Sequence, residues 1–158
     1  MLKIILKIAG IFLLVILQIS LFDKFSIFGS VPNLIFIFAI ALTLKARWQD
    51  AILLGGIGGV LLDLASPLRF GVYTFLILVV ITLINYLVLK LLPTPRLFMS
   101  FFIFIGAFLL INLIISLLTF SWLGWNLLID TGVNGLWGVF AYYLTSKLIK
   151  VESEIKID

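Results

Sequence analysis

The 158-residue chain has no cysteine and no histidine, and charged side chains make up only 11% of it. Without cysteine there is no disulfide and no thiolate metal site, and without histidine the commonest general base and metal ligand is gone. Serine-type proteolysis loses its base with them. An aspartyl pair would need two carboxylates sharing one proton, and the GxGD setting of intramembrane aspartyl proteases is missing. The reading is a non-enzymatic chain with no cofactor and no metal.

What fills the space instead is apolar. Hydrophobic residues make up 64% of the chain and its mean hydropathy is +1.35, against roughly 45–50% apolar and about 25% charged in soluble domains. This predicts an integral membrane protein, with residues 1–150 forming one domain in the bilayer and residues 151–158 a short cytoplasmic tail. The net charge of +4 does not point to nucleic acid, because membrane proteins concentrate Lys and Arg in cytoplasmic loops. Lys3 and Lys7 precede a long apolar run with no small-residue cleavage site behind it, so the first span is expected to be retained.

Measured against the roughly 20 apolar residues that cross a bilayer, the sequence predicts six spans, at about 2–22, 32–44, 51–65, 72–92, 97–120 and 127–149. The second is short and is expected to open at Pro32, a residue suited to a first helical turn. KARWQD reads as a basic loop, and SPLRFG as a turn with Pro67 and Gly71 as breakers. With the N-terminus inside, nine cations are cytoplasmic (Lys3, Lys7, Lys45, Arg47, Lys90, Arg96, Lys147, Lys150, Lys156) and two, Lys24 and Arg69, are outside. Removing the short second span would put Lys45 and Arg47 outside, so the positive-inside tendency keeps it. Trp122 and Trp125 flank the last turn as interfacial aromatics.

Two stripes of small and polar residues stand out. Ala51, Gly55, Gly59 and Asp63, with Ser66 a turn later, share one face of the third span. Such a lean face is a docking surface, because helices in lipid associate through close contact and hydrogen bonds. Asp63 is expected to face protein, with polar groups of other spans or the SPLRFG backbone as partners and Arg69 near enough to fold back over it. Asp130, Asn134, Gly138, Ala141 and Thr145 form the matching line on the sixth span. Gln18, Asn85 and Asn112 complete a sparse polar set suited to holding a bundle together.

The order Pro32-Asn33-Leu34, a basic loop, Gly55-x3-Gly59-x3-Asp63-Leu64-x-Ser66 and Gly71 opening the next span resembles MreD, the rod-shape-determining membrane protein family of bacteria. Asn134 matches an asparagine the family tends to carry in its last span, whereas Asn33 stands where the family usually has an acidic residue. A contact at that site that needs negative charge is therefore lost, and one that needs a hydrogen bond is kept. The resemblance implies a non-catalytic elongasome component that binds the transmembrane and adjacent regions of MreC. Through MreC it would be linked to MreB, RodA and the penicillin-binding transpeptidase. It also implies an all-α, six-helix transmembrane bundle, similar to the membrane substrate-binding subunits of energy-coupling-factor transporters.

That likeness keeps a second reading open, a substrate-binding subunit for a vitamin or metal, with Asp63, Asp130 and Asn134 lining an outer pocket. Very short outer loops and few convergent polar groups weigh against it. A small membrane assembly factor of another kind is the third reading.

Overall fold

A computed structural model describes residues 2–20, 26, 29–91, 97–120 and 124–148. Among the described residues there are six α-helices and no strand: α1 Leu2–Ser20, α2 Leu34–Leu44, α3 Trp48–Ala65, α4 Val72–Leu91, α5 Leu97–Thr119 and α6 Trp125–Leu148. Two of them, α3 and α5, are long and apolar enough to cross a membrane. Ile4–Ser20, Leu34–Leu44 and Val72–Val88 are apolar but shorter stretches. Trp122, Lys24, Arg96, Lys150, Lys156 and the tail lie outside the described residues.

Three helix starts differ from expectation. Pro32 is not in the first turn of α2: Asn33 is the N-cap, and its side chain accepts from the Phe36 N–H. An asparagine side-chain oxygen that accepts from an early helical N–H is favoured at the N-cap, and the helix begins two residues after Pro32. α3 takes in Trp48, Gln49 and Asp50, which hydropathy alone had placed in a loop. Asp50 sits well in a first turn, where the helix dipole favours an anion. α6 likewise begins at Trp125, ahead of the apolar run.

The short α2 is the centre of the molecule. It contacts every other helix, and around it α1, α3, α4, α5 and α6 touch in that order. The ring is open between α6 and α1, which are not in contact among the described residues. Ile35, Ile37, Ala39, Ile40 and Ala41 have no exposed surface, and they join Ile77, Val80, Ile81, Phe104 and Phe108 in one core. An 11-residue helix extends only about 16 Å, about half the roughly 30 Å of a bilayer's hydrocarbon core.

α2 stops through backbone chemistry. Arg47 N–H donates to the Leu42 carbonyl at 3.0 Å and Ala46 N–H to the Thr43 carbonyl at 3.0 Å, the two bonds of a Schellman closure. Ala46 takes the left-handed position, φ 56°, which is the usual place of glycine.

The glycines of GGIGG divide their work. A Cβ on Gly55 would lie 2.6 Å from Ile77 Cγ2 of α4, and one on Gly59 would lie 2.7 Å from the Thr74 Cα. Gly58 faces the other way, where a Cβ would meet Ile35 of α2 at 2.8 Å. Gly56 meets nothing within 4 Å. Three glycines therefore let α3 approach two helices at once, by van der Waals contact that any side chain would prevent. On α6, Gly138 does the same beneath the Phe104 ring.

Candidate functional site

Most of the polar residues picked out in the sequence meet at one end of the bundle, around the starts of α2 and α4. A helix start leaves N–H groups without intrahelical partners. α4 begins after Gly71, whose φ of 94° suits glycine and which has no side chain to cap with. Asp63 of α3 supplies the missing cap. Its Oδ1 accepts from Tyr73 N–H at 2.8 Å, and its Oδ2 accepts from Thr74 N–H at 3.0 Å and from the Thr74 hydroxyl at 2.5 Å. The carboxylate is 4% exposed, and the positive end of the α4 dipole provides the compensation that burial requires.

The partners expected for Asp63 are thus corrected in part. They come from the first turn of α4, just beyond SPLRFG, and Arg69 is exposed and does not cover the carboxylate. Ser66 has a local role, its hydroxyl accepting from Leu68 N–H at 3.0 Å to shape the turn.

The start of α2 is held from two sides. Gln18 of α1 donates to the Pro32 carbonyl at 3.1 Å and accepts from Leu34 N–H at 2.6 Å. Asn134 of α6 accepts from Asn33 N–H at 2.7 Å and donates to the Asp130 carbonyl at 2.9 Å. With Asn33 capping Phe36 N–H at 3.3 Å, Pro32-Asn33-Leu34 has its backbone groups bonded by side chains from both flanking helices. Asn134 is 1% exposed, so its amide is committed to this contact.

Asp130 closes the third junction. It accepts from the Ser30 hydroxyl at 2.6 Å and from Asn112 of α5 at 2.8 Å, while Asn112 also reaches Thr131 at 3.2 Å. The segment before α2 is thereby tied to α5 and α6. Asn85, half-buried on α4, does not join this cluster.

Chemically this arrangement joins helices. Among the described residues, every buried side-chain nitrogen and oxygen has a hydrogen-bond partner. No group of three metal-ligating side chains occurs among them. Asp63 and Asp130 have separate sets of donors and no bond joins them. A cavity of about 230 Å³ beside Gln18, Asn33, Ser66 and Tyr73 is smaller than the roughly 300–1,000 Å³ of ordinary ligand pockets.

Sequence reasoning missed Ser30 and Thr74, and it treated Gln18 and Asn112 as general adhesive. A hydroxyl two residues into the helix after a glycine was a usable signal for Thr74, while nothing local marks Ser30. The opposite end was missed as a site altogether. There Asp50 pairs with Lys7 of α1 and, at 2.9 Å, with Arg47, and Lys45 lies 4.0 Å from the centre of the Tyr142 ring. Comparison with protein-family models, curated proteins and solved structures finds no match to this chain.

Proposed function

We propose that the chain is a multi-pass, non-catalytic membrane scaffold of the MreD type, a six-helix transmembrane bundle in the bacterial cytoplasmic membrane with both termini cytoplasmic. It binds the transmembrane and adjacent regions of MreC, and through MreC supports MreB, RodA and the penicillin-binding transpeptidase in side-wall peptidoglycan synthesis. The observation that carries this reading is where the buried polar side chains go. Asp63, Gln18, Asn134 and Asp130 are all spent on holding helix starts to neighbouring helices, as a rigid platform requires. An apolar exterior supports the bilayer: Leu6, Leu64, Phe75, Phe98 and Leu136 are each more than 60% exposed, on five different helices, a surface that water tolerates poorly. Of the residues of the family resemblance, Pro32, Asn33 and Asn134 tie the start of α2 to α1 and α6, and Gly55, Gly59 and Asp63 hold α3 against α4.

The test is co-purification with MreC in mild detergent, repeated with Gly59→Leu and Asp63→Ala. The unmodified chain retains MreC and both variants lose it. A chain that retains no MreC yet binds a vitamin specifically belongs to the transporter reading.

A further inference from the structure

The gap in the ring of helices is a second feature, remote from the junctions described above. Between α1 and α6 an apolar groove of about 360 Å³ opens over α2, lined by Gly10, Leu14, Phe38, Leu42, Leu53 and Thr145. It ends at Lys7 and Asp50. The same two residues also border a polar cleft of about 420 Å³ with Arg47 and Trp48. The two spaces, one apolar and one polar, share the charged pair of Lys7 and Asp50 in their walls.

We propose that this composite slot binds one anionic phospholipid, its acyl chain in the groove and its phosphate in the cleft. The inference rests on the membrane placement proposed above and not on MreC as partner. Three considerations select this occupant. The cleft is charge-matched to a phosphodiester, since Lys7 and Arg47 supply two cations and share the single carboxylate of Asp50. Arginine and lysine between helices at the cytoplasmic side are how anionic headgroups are held. The groove beside that cleft presents Gly10, Leu14, Phe38, Leu42 and Leu53, an apolar lining suited to an acyl chain.

The test uses the full chain, delipidated in neutral detergent, with equimolar phosphatidylglycerol and phosphatidylcholine added and bound lipid counted by native mass spectrometry. A separate arm adds inorganic phosphate and follows the unfolding temperature. One phosphatidylglycerol is retained, favoured roughly fivefold, as the single net cation left by Lys7, Arg47 and Asp50 implies, and phosphate alone does not reproduce its stabilisation. Lys7→Gln and Arg47→Gln, made singly so that Asp50 keeps one partner, each reduce the preference. Gly10→Leu fills the groove from a position where a Cβ meets nothing within 4 Å, so the chain folds and the lipid is displaced.

Equal retention of the two lipids, or a preference that survives both charge variants, overturns the proposal. An equal effect of phosphate overturns it in favour of a free anion. If Gly10→Leu abolishes MreC capture and leaves the lipid pattern intact, the groove belongs to the partner helix. An unmodified chain that captures no MreC yet prefers phosphatidylglycerol removes only the scaffold reading.

Discussion

Asp63 concentrates the chemistry of the molecule in one side chain. A buried carboxylate is costly without a cationic partner, and Asp63 has none among the described residues, yet it receives three hydrogen bonds from the first turn of α4. Asp63→Ala leaves those donors unsatisfied at about 1–3 kcal/mol each, only partly relieved by relaxation, so a loss of about 2–4 kcal/mol is expected from thermal or denaturant unfolding in detergent. Asp63→Asn keeps an acceptor oxygen but turns an amide N–H toward the same donors, and its loss falls between alanine and the original. A mere burial role would make the two variants equal. That the aspartate faces protein was legible in the sequence from the small residues spaced four apart before it. Its partner was not, because capping a helix start from a neighbouring helix leaves no trace of spacing along either one.

At the scale of helices, close approach and termination decide the outcome. Gly59→Ala forces a Cβ against the α4 backbone at the Thr74 Cα, which cannot rotate away, and overpacking of this kind costs about 1–3 kcal/mol. Gly56→Ala meets open space and gains up to about 1 kcal/mol of helix propensity; unfolding of the pair measured side by side separates contact from propensity. Ala46 is the converse case. It holds a left-handed conformation that costs a residue with a Cβ roughly 1–2 kcal/mol, so Ala46→Gly raises the unfolding free energy by about 0.5–1 kcal/mol after the added entropy of glycine. The number of helices and their approximate limits were readable from hydropathy. The true starts of α2, α3 and α6 were not, because hydropathy reports where side chains are apolar, whereas caps and dipoles decide where a helix begins.

For the whole molecule, the proposed six spans, an even number, would put both ends of the chain on one side of the bilayer. Reporter fusions at residues 1 and 158 are expected to give the same cytoplasmic signal, and opposite signals would require one helix fewer across the bilayer. The central place of α2 could not be read from the sequence, since a short, uniformly apolar segment has no preferred face and hydropathy alone cannot distinguish a hub from a peripheral span. That place has a consequence for biogenesis. Asn33 finds its partner 101 residues later and Ser30 finds its own 100 residues later, an interval of roughly 5–20 s at ordinary rates of translation. Until the ribosome has delivered α6, the nascent chain holds an unfinished hub with bare peptide groups, and a chain truncated before Asn134 is a natural substrate for membrane quality-control proteases.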